Sequence, residues 1–144
     1  MDLKDQVCSL KLAKQLKELG VKQESLWYWD SCGNLKKDDH WFLITTESYD
    51  FNDYPGPTFN IISAFTCAEL GEMLPVILTK TTLNNYELRI QKLDDNKRWE
   101  CFYKDWNVPE VGHGHLKGQT FRDKTEANTR AKMLIYLIKN NLIK

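Results

Sequence analysis

Two histidines separated by one glycine, His113 and His115, have the spacing in this sequence that best suits a metal ion. Two imidazoles so spaced can reach one ion from an extended segment, but a zinc site usually needs three or four protein ligands. Cys101 or His40 would have to be brought in by the fold, because no spacing requires either. The pattern favours a glycine-rich turn with solvated histidines, and we predict no metal or cofactor. A small enzyme with a site near His113 and His115 is the second alternative.

Cys67 is the cysteine placed best for nucleophilic chemistry. It falls in the first turn of an expected helix, where the helix dipole lowers the thiol pKa. The nearby Glu69 opposes a thiolate, and a nucleophile also needs a base and an orienting group. We therefore expect a buried residue at the first helical position. The four cysteines form no Cys-x-x-Cys pair, which favours reduced thiols over disulfides.

Neighbouring carboxylates could serve as general acid and base, and three such pairs occur. They are Asp38 with Asp39, Asp50 with Asp53, and Asp94 with Asp95. Turn and loop solvation explains all three, because acid–base catalysis depends on spatial pairing that a sequence does not display. The sequence contains no Gly-x-Ser-x-Gly, phosphate loop or dinucleotide fingerprint. A non-enzymatic protein is therefore favoured over an enzyme.

An acidic-aromatic segment, residues 47–59, is the leading candidate for a binding surface. Its prolines and glycine predict a loop, and residues 38–79 hold seven acidic residues but no Lys or Arg. Long ordered loops often carry function. Displayed aromatic side chains would contact an unidentified protein partner. The residues we assign to this binding site are Tyr49, Asp50, Phe51, Asp53 and Tyr54.

Nucleic-acid binding is the first alternative function. The C-terminal third is basic, with Arg122, Lys124, Arg130 and Lys132 around the last helix. The formal net charge of the chain is zero, however, whereas non-specific nucleic-acid binding needs a basic footprint. Nucleic acid is therefore a possible partner that is not favoured.

Three helices are expected to frame these residues. Ser9 caps the first helix, and Gly20 suits the left-handed residue that ends it. Thr66 and Glu69 form a capping box for a second, short helix that Pro75 stops. The last helix begins near Asp123, pairs it with Glu126, and continues through an apolar face expected to be central to the core. The apolar positions of this helix are Ala127, Ala131, Met133, Leu134, Ile135, Leu137, Ile138 and Leu142.

Strand-forming residues fall into two pairs. Aromatic and β-branched residues at 25–29 and 41–46 predict a hairpin with a long connection. Residues 86–91 and 99–104 alternate apolar with polar side chains and flank a turn, while 107–120 reads as irregular. The predicted fold is α+β in the order α-β-β-α-β-β-α. It has a mostly antiparallel sheet of about four strands packed with three helices.

Length and composition predict one domain spanning residues 1–144. The chain is 42% hydrophobic and 12% aromatic, which suits a packed core and argues against disorder. The longest apolar runs fall far short of the roughly 20 residues that cross a bilayer, and we see no targeting segment. We therefore expect a cytoplasmic protein without membrane attachment.

Three stretches of the sequence together resemble a known family. They are residues 7–29 (VCSLKLAKQLKELGVKQESLWYW), 64–75 (AFTCAELGEMLP) and 125–139 (TEANTRAKMLIYLIK). The chain is similar over most of its length to a family of small uncharacterised proteins carried by phages and prophages of gut bacteria. The resemblance implies a phage or prophage setting and supplies no catalytic residues. It favours an accessory protein that acts through protein contacts.

Overall fold

The computed structural model describes residues 2–31, 41–45, 47, 61–81, 84–93, 97–105, 107 and 115–143. A short 3-10 helix, Leu3–Asp5, precedes three α-helices. These α-helices are α1 (Leu10–Glu18), α2 (Cys67–Met73) and α3 (Glu126–Lys139). The strands are β1 (Trp27–Asp30), β2 (Phe42–Thr45), β3 (Ile61–Ser63), β4 (Ile77–Thr81), β5 (Asn84–Lys92), β6 (Trp99–Asp105) and β7 (His115–Asp123).

The strands form two antiparallel sheets, which confirms the α+β class. One sheet has the order β2-β1-β3 and the other the order β4-β5-β6-β7. The two predicted hairpins are present as β1 with β2 and β5 with β6. The described residues hold seven strands rather than about four. The element order therefore gains β3, β4 and β7 over the predicted one.

The prediction that residues 107–120 are irregular is wrong for the part that joins β7. That strand begins at His115 and pairs with β6, so that Cys101 lies opposite Phe121 and Lys104 opposite His115. Its sequence contains a glycine and lacks a clean alternation of apolar and polar residues. Pairing with a neighbouring strand stabilises it, which is a tertiary effect that local propensity does not contain.

The ends of α1 follow their local sequence signals. Ser9 is the N-cap in extended backbone, although its side chain makes no capping hydrogen bond. Gly20 has φ of 81° and follows the C-cap. The amide of Val21 donates to the carbonyl of Leu16 (3.0 Å), and the amide of Gly20 donates to that of Lys17 (3.0 Å). These two bonds make a Schellman ending, as predicted.

The expected start of α3 at Asp123 is wrong by two residues. Thr125 is the N-cap, and its hydroxyl accepts from the amide of Asn128 at 3.2 Å. Asp123 ends β7, where its carboxylate accepts from the side chain of Asn128 (3.2 Å) and pairs with Lys132 (2.6 Å). An aspartate held by two side chains of the helix does not need to cap it.

Helix α3 is central to the core, as its apolar face predicted. It contacts α1, α2, β6 and β7. Its buried apolar residues pack in one cluster with Leu16 of α1, Phe65 and Leu70 around α2, and Cys101 and Tyr103 of β6. The buried apolar residues of α3 are Ala127, Ala131, Met133, Leu134, Ile135 and Leu137.

Candidate functional site

The buried face of the four-stranded sheet ends at Lys92 and Trp99. Alternate residues of a strand share a face, so Trp99 lies on the same side of β6 as the fully buried Cys101 and Tyr103. Lys92 lies directly opposite Trp99 on β5. Trp99 is only partly buried and Lys92 is exposed. The sheet therefore carries an indole and an ammonium group where its core face reaches solvent.

A cleft of about 600 Å³ opens over this end of the sheet. Its walls come from the 3-10 helix, the first turn of α2 and the first turn of α3. The N-termini of both helices meet here, and each leaves amides without an intrahelical acceptor. We call this the Trp99 cleft. Its lining residues are Asp5, Gln6, Thr66, Cys67, Ala68, Lys92, Trp99, Lys124, Thr125 and Glu126.

Backbone hydrogen bonds fix the walls of the Trp99 cleft against each other. Val7 forms an isolated antiparallel bridge with Thr66. The amide of Cys8 donates to the carbonyl of Phe65 at 2.8 Å. The amide of Ser9 donates to the side-chain oxygen of Asn128 at 2.8 Å. The N-terminal segment is thereby tied to the beginnings of both α2 and α3.

The capping box of α2 also ties this helix to the segment that precedes β1. The hydroxyl of Thr66 accepts from the amide of Glu69 (3.2 Å), and the carboxylate of Glu69 accepts from the amide of Thr66 (2.7 Å). The same carboxylate accepts from the amide of Leu26 (2.9 Å) and from the hydroxyl of Ser25 (3.1 Å). One side chain therefore caps α2 and joins it to the segment that enters β1.

An ion pair neutralises the acidic residue at the start of α3. The Nε atom of Arg130 donates to a carboxylate oxygen of Glu126 at 2.8 Å, one helical turn away. Arg130 packs closely on α2, because a Cβ atom built on Gly71 would lie 2.8 Å from its guanidinium. Gly71 thus permits α2 and α3 to approach, and Glu126 carries little uncompensated charge.

Cys67 is the half-buried thiol of the Trp99 cleft. Burial is the largest cause that raises its pKa above the ordinary value, and Glu126 raises it further, while Arg130 lowers it. The thiol therefore stays protonated near neutral pH, and thiolate is the form that reacts. Its predicted position as the first residue of α2 is confirmed, with more exposure than expected.

The charges lining the Trp99 cleft do not cancel. Within the described part of the chain, Lys92 and Lys124 form no ion pair. Glu126 is paired with Arg130, which leaves Asp5 as the carboxylate of the lining without a cation. The described part of the lining therefore holds two ammonium groups and one unmatched carboxylate, an excess of positive charge.

Three of the four basic residues assigned to nucleic acid are held by acidic side chains. Arg122 pairs with the buried Glu100 at 2.6 Å, and Arg130 and Lys132 pair as described above. The fourth, Lys124, lines the Trp99 cleft. Basic groups compensated within the protein contribute little to phosphate binding. The geometry therefore gives the nucleic-acid alternative no additional support.

Within the described residues, the other predicted site residues add no side chain to the Trp99 cleft. Tyr49, Asp50, Phe51, Asp53 and Tyr54 lie outside the described residues, as do His40 and His113. His115 begins β7. Cys101 is fully buried, and burial raises its pKa to about 12. Across the described ranges, no group of three or more His, Cys, Asp or Glu could hold a metal ion.

Sequence reasoning missed Lys92 and Trp99 as site residues. The signal was present in the alternation of β5, where Tyr86, Leu88 and Ile90 point inward and Lys92 occupies the next inward position. A lysine in an otherwise apolar register marks the point where a buried face meets water. The position of the helix N-termini over that point depends on packing and has no local signal.

A second, shallower depression of about 440 Å³ lies along α1. It is lined by Leu10, Lys11, Lys14, Gln15 and Glu18. The ammonium of Lys14 lies 4.9 Å from the ring centroid of Trp41. The described lining of this depression comes from one helix face and offers fewer kinds of polar group than the converging elements of the Trp99 cleft, which is therefore the better candidate site.

Comparisons with known proteins identify no relative. No protein-family model, no curated protein and no solved structure matches this chain. Among the described residues, no helix combines the length and apolar character needed to span a membrane.

Proposed function

We propose that this protein is a non-enzymatic binding module that contacts a partner protein through the Trp99 cleft. The observation that carries the proposal is the cleft of about 600 Å³, which is within the size range of binding pockets. Its floor presents the partly buried indole of Trp99, and tryptophan is enriched among residues that dominate binding energy. A partner segment could insert one or two side chains into this volume.

The chemistry of the cleft supports binding better than catalysis. A nucleophilic thiol needs a lowered pKa and an adjacent base. The pKa of Cys67 is raised instead, first by burial and then by Glu126. The hydroxyls of Thr66 and Thr125 cap their helices by accepting hydrogen bonds from the amides of Glu69 and Asn128, so both have structural roles.

The phage or prophage origin of the protein and its cytoplasmic location are also proposals. The phage or prophage origin rests on the resemblance of residues 7–29, 64–75 and 125–139 alone. The cytoplasmic location rests on the cysteines, since Cys8 and Cys67 are free thiols, as is Cys101. Free thiols suit a reducing compartment.

Blocking the cleft tests the proposed function. Ala68 is exposed in the first turn of α2 and lines the cleft, whereas Glu72 is exposed on the same helix outside the lining. Partners would be captured from host cells with the unmodified chain, with Ala68→Trp and with Glu72→Trp. We expect Ala68→Trp to lose the partner and Glu72→Trp to retain it. Equal capture by the two variants, both folded by circular dichroism, would contradict the proposal.

A further inference from the structure

We propose that the partner segment presents an aromatic side chain beside a carboxylate, and that Trp99, Lys92 and Lys124 recognise the two groups together. This inference rests on the proposed function, because it names the chemistry that the Trp99 cleft selects. The indole provides a face for a ring, and the two ammonium groups provide charge for the carboxylate.

Strand register places Lys92 beside Trp99, and the end of β7 brings Lys124 to the same cleft. Lys92 lies opposite Trp99, and Trp99 lies opposite Asp123, whose next residue is Lys124. Opposed Cα atoms in antiparallel strands are about 5 Å apart. Lys92 on β5 and Lys124, the residue that follows β7, line the Trp99 cleft together with the indole. A ring stacked on Trp99 would have its attached or adjacent carboxylate within reach of either ammonium group.

The charge balance favours an anionic segment over a basic one. Lys92 and Lys124 have no ion-pair partner within the described residues, while Glu126 is compensated by Arg130. A carboxylate would gain Coulomb attraction from groups that are otherwise hydrated. A basic segment would approach two like charges, and among the described lining residues the uncompensated carboxylate it would meet is the exposed Asp5.

The same balance favours a carboxylate over a phosphate chain. Among the described lining residues, two ammonium groups against the carboxylate of Asp5 leave only about one uncompensated positive charge. A nucleic-acid segment brings bases but also a charge on every phosphate of its backbone, and strong binding of such a backbone requires several basic contacts. The formal net charge of zero for the whole chain adds no attraction for a polyanion.

Protection of Cys67 from alkylation provides the test. Cys8 and Cys101 are fully buried, and burial raises the pKa of each to about 12. In a Cys32→Ser chain, iodoacetamide should therefore modify Cys67 selectively. Alkylation rates would be followed by mass spectrometry of the peptide containing Cys67. The probes are the blocked tripeptides Asp-Tyr-Asp, Asn-Tyr-Asn, Asp-Ala-Asp and Lys-Tyr-Lys, and the dinucleotide UpU.

We expect Asp-Tyr-Asp to halve the alkylation rate of Cys67 at a concentration roughly tenfold below the concentration that each other probe needs. A tenfold ratio is the size expected when a ligand loses one contact of ordinary strength. The double variant Lys92→Ala/Lys124→Ala should remove this advantage over Asn-Tyr-Asn. Lys139→Ala, in the last turn of α3, should leave it intact. Equal or better protection by Lys-Tyr-Lys or UpU, or no protection by any peptide, would overturn the inference. The Ala68→Trp capture experiment judges the proposed function separately, because it does not depend on ligand chemistry.

Discussion

Cys67 reports on the electrostatics of the Trp99 cleft. Burial raises its pKa most, Glu126 raises it further and Arg130 lowers it. Replacement Glu126→Gln removes the acid that raises the pKa and releases Arg130 from its ion pair. We expect Cys67 in this variant to react faster with iodoacetamide at pH 7–8, because more of it is thiolate.

The matched control for this change is Glu72→Gln, since Glu72 is exposed on α2 and is not among the groups that shift the Cys67 pKa. Both variants would be measured over the same pH series in the Cys32→Ser chain. An unchanged or slower rate in Glu126→Gln would contradict the assigned role of Glu126.

Asp123 links stability to pH. Burial tends to raise its pKa, but hydrogen bonds from Lys132 and Asn128 outweigh that effect and hold the pKa below the ordinary value of 3.8. A carboxyl group with a depressed folded-state pKa stabilises the fold above the unfolded-state pKa, and this contribution is lost as the pH falls through the folded-state pKa. Asp123→Asn should therefore destabilise the protein at neutral pH.

Chemical denaturation at a series of pH values would check this linkage. The difference in unfolding free energy between the unmodified chain and Asp123→Asn should be constant above about pH 5. It should shrink as the pH falls below 4. A difference that stays constant to the lowest pH at which the chain folds would show that Asp123 contributes no charge-dependent stability.

The capping box of α2 is expected to be worth more than an ordinary cap. Glu69 accepts hydrogen bonds from Thr66, Ser25 and the amide of Leu26. Glu69→Ala should lower the free energy of unfolding by about 2 kcal/mol, since it removes a capping interaction and a second set of bonds. Glu72→Ala, on the exposed side of the same helix, should change it by less than about 0.5 kcal/mol. Equal effects in thermal unfolding would contradict the bridging role of Glu69.

The end of α1 depends on backbone conformation alone. Gly20 has φ of 81°, and a Cβ atom there would meet nothing within 4 Å. Gly20→Ala should therefore cost about 1 kcal/mol from backbone strain without any steric clash. Gly20→Asn should cost less, because asparagine tolerates this conformation, as Asn141 does after α3 with φ of 52°. Equal losses of stability in the two variants would point to a different cause.

Local signals predicted the helices better than the strands. The Thr66–Glu69 capping box and the Gly20 ending depend on residues three to five positions apart, so the sequence contains them whole. Strand β7 depends on pairing with β6, and β3 depends on pairing with β1. Asp123 was mistaken for a cap because its partners include Lys132, which only the folded arrangement brings near.

The Trp99 cleft could not be predicted from sequence because no single element contains it. Its residues come from segments near positions 5, 67, 92, 99 and 125. Alternation along β5 could have marked Lys92, but the convergence of two helix N-termini above Trp99 results from packing of α2 on α3. Of the candidates chosen from the sequence, Cys67 and Lys124 lie in the cleft, whereas the leading binding segment, residues 47–59, does not contribute to its described lining.

At the level of the whole molecule, the Trp99 cleft is the surface at which we propose that a partner protein binds. Photo-crosslinking from within the cleft tests this claim most directly. A photoreactive phenylalanine analogue would replace Gln6, an exposed residue of the lining, in one chain and Glu72 in another, and both would be irradiated in host extract. We predict a discrete crosslinked product from position 6 that Lys92→Ala/Lys124→Ala diminishes, and none from position 72. The same product from both positions, or only from position 72, would contradict the claim.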